Sequence, residues 1–203
     1  MATRRAGSLR IVGGTHRGRR LATPRGESTR PPLDSQRETI FNLLGAAAVE
    51  GAVVLDLFAG SGSLGLEALS RGAREVWFVE TNRDALEALA TNRAALGVES
   101  ASHVLRADAF RFPEAVTPGP ARADLVFLDP PFRAIGRPTG MRALARLAAA
   151  LSPVLAPGAV VVLRLPAGAP AVAPPPGWQT TRQRTLGASR VDFFGFRPEA
   201  PES

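Results

Sequence analysis

From Gly51 onward, short apolar runs alternate with segments in which apolar residues recur every three or four positions. Runs rich in Val, Leu and Phe that close on Gly, Asp or Pro read as strands buried on both faces, and the 3.6-residue period reads as helix. The pattern predicts strands over 53–58, 75–80, 102–107, 123–129 and 159–165. Helices are predicted over 63–71, 83–96 and 139–151, with a short one near 109–115. Such alternation gives an α/β fold, a doubly wound and mostly parallel sheet. Downstream, the Pro- and Ala-rich stretch Ala167 to Gly177 predicts a loop, and Trp178 to Arg184 with Arg190 to Arg197 a closing antiparallel pair.

The first fifty residues follow another pattern. Residues 1–7 are expected to be disordered, and Leu9 to Gly14 with Gly18 to Ala22 predict a β-hairpin turning at Thr15, His16 and Arg17. Pro24 to Pro32 reads as a linker, and Ser35 to Leu44 as a helix N-capped by Asp34, its apolar side built from Ile40, Phe41, Leu43 and Leu44. That helix is expected to lean over the ligand crevice. The chain thus divides into a small hairpin-and-helix extension, residues 1–50, and an α/β domain, residues 51–203.

Four successive predicted strands end in an acid: Asp56, Glu80, Asp108 and Asp129. In an open parallel sheet, ligands bind outside the carboxyl ends of the strands, so these carboxylates are expected to share one crevice. The first strand runs into Ala59-Gly60-Ser61-Gly62, a turn whose backbone can approach a ligand closely and whose free N–H groups favour a carboxylate or phosphate. Gly60-x-Gly62-x-x-Gly65 with Glu80 also matches the dinucleotide fingerprint, so the glycines alone leave the ligand open. Four carboxylates would repel a pyrophosphate and favour a sulfonium with an ammonium group and a ribose diol, the chemistry of S-adenosylmethionine.

Asp129-Pro130-Pro131-Phe132 follows the run Leu125 to Leu128. Both prolines lack N–H groups, so the Asp129 carboxylate and the Pro130 carbonyl are held as acceptors beside the Phe132 ring. Acceptors next to a stacking face suit chemistry on an exocyclic amine of a nucleobase.

Charge adds a partner class. Residues 1–37 hold nine Arg against Glu27 and Asp34, so the whole net charge of +7 lies there, while residues 38–203 balance sixteen Arg against sixteen acids. A basic arm beside a neutral body suits capture of a polyanion. All 25 basic residues are Arg, a bias that composition alone can produce. Without cysteine there is no disulfide or Cys-based metal site, and His16 and His103 are too few for a His-based centre, so metal-free chemistry is expected. No apolar stretch has the length of a signal core or a membrane span, which predicts a cytoplasmic protein without membrane contact.

Asp56-x-Phe58-x-Gly60-x-Gly62, Glu80, Asp108 and Asp129-Pro130-Pro131-Phe132, preceded by Arg30-Pro31 and Arg37-Glu38-Thr39-Ile40-Phe41-Asn42, resemble the bacterial RsmD family from about Leu9 to about Arg197. The resemblance implies a Rossmann-like class I methyltransferase that uses S-adenosylmethionine to methylate the N2 amine of a guanine in 16S rRNA of the small ribosomal subunit; a monomer is expected. It implies Asp56, Gly60 and Gly62 at the methionine end of the cofactor with Phe58 beside it, Glu80 on the ribose hydroxyls, and Asp108 with Ala109 on the adenine edge. The acceptor and ring chemistry puts Asp129, Pro130 and Phe132 in catalysis with Pro131 beside them; Arg30, Arg37 and Asn42 are expected to line the entrance to the site, and Arg17, Arg19 and Arg20 of the basic arm to meet the RNA. Departures from the family pattern are Pro32, Gln36, and Arg164-Leu165-Pro166 where a Glu usually follows the strand. Three alternatives stay open: a DNA adenine-N6 methyltransferase, an NAD-dependent oxidoreductase and a non-catalytic RNA-binding protein.

Overall fold

The computed structural model describes residues 9–24, 34–112 and 122–198. The predicted disorder at 1–7, most of the linker, and Arg30, Pro31 and Pro32 lie outside those residues. Among the described residues, seven strands form one sheet in the order β3-β2-β1-β4-β5-β7-β6. They are β1 (Val53–Leu57), β2 (Glu75–Glu80), β3 (Ser102–Arg106), β4 (Ala123–Leu128), β5 (Leu155–Pro166), β6 (Trp178–Leu186) and β7 (Ser189–Phe196). The first five run parallel, and β7 joins β5 and β6 antiparallel. The strand β5 begins earlier than predicted because Leu155 pairs with Ala123 across a register shift before Val160 meets Leu125. Chain order reverses at β1, between β2 and β4, the switch point where α/β sheets bind ligands.

Alternation of side chains along the strands feeds two cores. On one face Val54, Val76, Phe78, Leu125 and Phe127 pack against α1 (Asp34–Leu44), α2 (Ser63–Ser70) and α3 (Arg83–Leu96). On the other, Leu55, Leu57, Val126 and Leu128 pack against α4 (Phe132–Ile135) and α5 (Pro138–Leu151). The four-residue α4 has no counterpart in the predicted elements. Of the short helix predicted near 109–115, the described part is a single 3-10 turn, Ala109–Arg111. No described helix is long and apolar enough to cross a membrane.

The N-terminal segment packs on the α2–α3 face, where Leu9, Ile11 and Leu21 enter the same cluster as Ile40 and Phe41. The predicted hairpin is reduced to one bridge, Arg10 to Arg20, flanked by Ile11 N–H to Arg19 O at 2.9 Å and Leu21 N–H to Leu9 O at 2.8 Å. The reason is competition for donors. Val12 N–H donates to the buried Glu67 carboxylate at 2.8 Å, a bond the hairpin would have made across its strands, while at the turn Thr15 N–H donates to Ser70 O at 2.7 Å and His16 N–H to Ser70 Oγ at 2.9 Å, docking the tip on α2. Asn92 on α3, 1% exposed, accepts from Ala22 N–H and donates to Ala22 O and Ser61 O, tying this segment to the Gly-rich turn.

Candidate active site

Outside the carboxyl ends of β1 to β4 lies a cavity of about 840 Å³, and Asp56, Glu80, Asp108 and Asp129 all line it. Its wall continues through Phe58 to Ser61, Ala109, and Pro130 to Arg133. Sequence reasoning missed several contributors: Gln36 from α1, Arg133 and Arg164, and the β6–β7 turn Gly187 to Ser189. A signal for Arg164 existed, since a lone charge inside the apolar run Val160 to Leu165 needs a partner within reach.

The Gly-rich turn is shaped by backbone demands. Phe58 is the one non-glycine among the described residues with a left-handed φ, 66°, a strain of roughly 1–3 kcal/mol that sets its ring against Phe110 at 4.8 Å. Gly60, at φ 56°, faces open space where a side chain would intrude into the cavity. Glu80 ties the turn down, its Oε2 accepting from Gly60 N–H at 2.8 Å and its Oε1 from Thr81 and Asn82 N–H at 2.7 and 2.8 Å.

The carboxylates differ in state. Asp56 is 1% exposed and accepts from Gly65 N–H at 2.9 Å; burial, with the charges of Asp129 and Glu80 adding to it against that bond, pushes its carboxyl up to about 8. A largely neutral Asp56 can lose its proton when a cation arrives, which fits the positive sulfonium and ammonium ends of S-adenosylmethionine. Burial also raises the Asp129 carboxyl, opposed by Arg164. Asp108 is exposed and accepts from Phe110 N–H at 3.0 Å, capping the turn that presents Ala109.

On the rim, Arg164 Nε donates to Asp129 Oδ1 at 2.7 Å and Nη2 to Oδ2 at 2.9 Å, while the same guanidinium lies 5.0 Å from the Phe132 ring centroid. A carboxylate offers about four acceptor positions, so this fork leaves one free on each oxygen. Among the described residues no donor reaches the Pro130 carbonyl, whereas the Pro131 carbonyl is taken by Ala134 N–H at 2.8 Å. Two acceptors and a half-buried ring therefore stand side by side at the mouth.

The residues expected to meet RNA are scattered. Arg37 corrects the expectation of a residue at the entrance: it is 0% exposed, donates to the Arg10 carbonyl and to Asp34 Oδ1 at 2.8 Å, and fastens α1 to the N-terminal segment. Asn42 is exposed on α1 and contributes nothing to the cavity wall. Arg17, Arg19 and Arg20 are exposed, but the hairpin tip sits at Ser70, the end of α2 away from the Gly-rich turn, and Arg19 donates to Ala95 O near the end of α3 at 2.7 Å. Arg30 lies outside the described residues.

A parallel sheet that reverses order at β1, an acid-lined cavity over that reversal and Asp-Pro-Pro-Phe on its rim define a class I methyltransferase architecture. The family described as Conserved hypothetical protein 95 matches residues 9–195. The chain belongs to that family, the RsmD family. It is similar to ribosomal RNA small subunit methyltransferase D of Escherichia coli strain K12, 43% identical over 129 residues, which span 63% of this chain and 62% of that protein. The Haemophilus influenzae protein of the same name is 40% identical over 127 residues, 62% of this chain and 65% of that protein. The chain thus aligns with less than two thirds of the length of these relatives. Among solved structures, yhhF from Escherichia coli matches with a TM-score of 0.78 at 32% identity, covering 95% of this chain and all of that one. TrmN from Thermus thermophilus matches at 0.69 with 26% identity, over 83% of this chain and 51% of that one.

Proposed function

We infer that the protein methylates the exocyclic N2 amine of a guanine in 16S rRNA of the small ribosomal subunit, in the cytoplasm, with S-adenosylmethionine as donor. The observation that carries this reading is the rim: Asp129 held in a two-point fork, the unengaged Pro130 carbonyl and the Phe132 ring beside an acid-lined cavity. The names of the aligned relatives support RNA over DNA or a nicotinamide cofactor as the partner.

The guanine N2 lone pair is delocalised into the ring, so the site must redirect it. With the base flipped out and stacked on Phe132, Asp129 and the Pro130 carbonyl each accept one N–H, and the lone pair turns toward the cavity. The amine grows acidic as its new bond forms, so an oriented carboxylate suffices to take the proton. S-adenosylmethionine, when bound, supplies an electrophilic methyl group. Asp56 and the Gly60–Gly62 backbone would hold its amino-acid end, Glu80 its ribose, Asp108 and Ala109 its adenine, with Phe58 packed alongside. Pro131 and the exposed Arg17, Arg19, Arg20 and Asn42 are offered to the RNA.

The test is methylation of 16S rRNA from a strain lacking the protein, as free RNA and as assembled subunit, followed by mass spectrometry of nucleosides. N2-methylguanosine is expected. Methyl groups found only on adenine, or none in either substrate, would refute the reading.

A further inference from the structure

The balanced charge of residues 38–203 conceals two halves of opposite sign. Residues 38–129 carry seven Arg against thirteen acids, and residues 130–203 nine Arg against Asp192, Glu199 and Glu202. Asp192 is buried and paired with Arg190 at 3.0 Å, and Arg164 is spent on Asp129. Arg133, Arg137, Arg142 and Arg146 are different: all four are exposed, and none of their guanidinium groups makes a hydrogen bond or ion pair with any described residue.

These four form a track that starts at the mouth. Arg133 lines the cavity itself. Arg137 caps the start of α5, whose first turn lies so close under α4 that a side chain on Gly140 would overlap the Ala134 carbonyl. At 100° per residue, Arg142 and Arg146 fall opposite the buried Leu144, Leu147, Ala148 and Leu151, one turn apart and about 6 Å from each other. The track therefore follows the solvent side of α5 away from the site, on the sheet face opposite the basic N-terminal segment.

Nothing in this arrangement serves the fold. Like charges at i and i+4 repel, a cation at a helix N-terminus opposes the helix dipole, and α5 holds no acid to offset either. Compositional bias toward Arg does not account for it, because α3, of equal length, intersperses its Arg with Asp84 and Glu87 and pairs Arg83 with Glu87 at 3.0 Å.

We propose that the α4–α5 arginines bind the phosphate backbone of the RNA strand flanking the target guanosine. The proposal rests on the reading of the substrate as RNA. Phosphates would relieve the repulsion, and because the track begins at the cavity wall it fixes the strand relative to the flipped base, which the remote hairpin tip does not do.

The experiment measures binding of a 16S rRNA fragment to the full chain across a salt series. Variants are R142E/R146E, R142Q/R146Q, and R74E/R122E, a charge-matched control at the strand N-termini away from the mouth. For R142E/R146E, a loss of about tenfold or more near 0.1 M salt is expected, with the log–log salt slope reduced by about 1.4–1.8 for two lost phosphate contacts. R142Q/R146Q should show the same fall in slope with a smaller loss of affinity, and S-adenosylmethionine affinity should stay at the wild-type value. Equal losses in R142E/R146E and R74E/R122E would overturn the track while leaving the RNA reading intact. Wild-type protein that neither binds nor methylates the rRNA would overturn that reading and the track with it.

Discussion

Arg164 holds Asp129 by both carboxylate oxygens across two adjacent strands, because the parallel register that sets Leu128 beside Leu163 brings the next residue of each chain segment together. The pair is nearly buried, 11% and 12% exposed at the side chains, and the guanidinium continues to Ser189 Oγ at 3.3 Å and to the face of Phe132. One cation thus restrains both the acceptor and the stacking ring. It also opposes the rise that burial imposes on the Asp129 carboxyl.

Replacing Arg164 with Gln is expected to raise the Asp129 carboxyl further. Since the reaction needs the ionised form, the acid limb of the pH–rate profile should move to higher pH, with cofactor affinity unchanged. Arg164→Lys, which restores charge without the fork, should recover the pH limb but only part of the rate. Removing either partner alone should cost about 3–5 kcal/mol of stability, and the D129N/R164Q double variant less than the sum. An unmoved pH profile in Arg164→Gln would show that Arg164 only braces the fold.

Asp129→Ala should abolish methyl transfer and leave S-adenosylmethionine affinity within about twofold, because its role is to orient the amine. Calorimetry and single-turnover methylation measured together decide this. Residual activity close to wild type would remove Asp129 from the chemistry.

Asp56 gives a pH dependence with a definite sign. Its folded carboxyl sits at about 8, while an unfolded Asp titrates near about 3.9. Between those values the unfolded chain has released a proton that the folded chain keeps, so the Asp56 contribution to stability falls as pH rises and levels off above about 8. Urea unfolding at about pH 5 and pH 8 should show that Asp56→Asn gains on wild type at the higher pH. If the cofactor's positive groups draw out the ionised form, binding near neutral pH should release a proton, detectable as a buffer-dependent binding heat that Asp56→Asn lacks. Identical pH slopes in the two proteins would mean that Asp56 ionises normally.

What could be read from the chain follows from which signals are local. Strand ends were legible because an apolar run closed by an acid is a local pattern, and Asp56, Glu80, Asp108 and Asp129 accordingly share one cavity. Arg37 was misread because helix periodicity treats Arg as polar; Asp34 is a local partner one turn away, but the burial of Arg37 also depends on an Arg10 carbonyl that only folding brings near. The Asp129–Arg164 pair required knowing that β4 and β5 are neighbours in register. The hairpin is shorter than expected for a similar reason: Val12 N–H found Glu67 on α2, more than fifty residues on, and one antiparallel bridge remains.

Phe132 isolates the stacking contribution from the rest of the rim. Its ring is half-buried, lies over the Arg164 guanidinium and belongs to the cavity wall, so shortening it leaves the Asp129 fork in place. Base stacking on one aromatic is worth ~1–3 kcal/mol, so Phe132→Leu should lower kcat/KM for rRNA by roughly five- to more than a hundredfold. Phe132→Trp, which retains an aromatic face, should keep most of it. Cofactor affinity should not change in either variant, because the proposed cofactor contacts belong to Asp56, Phe58, Gly60, Gly62, Glu80, Asp108 and Ala109. A Leu variant as active as wild type would show that the base is held without this ring, and Phe132 would then be a packing residue at the start of α4.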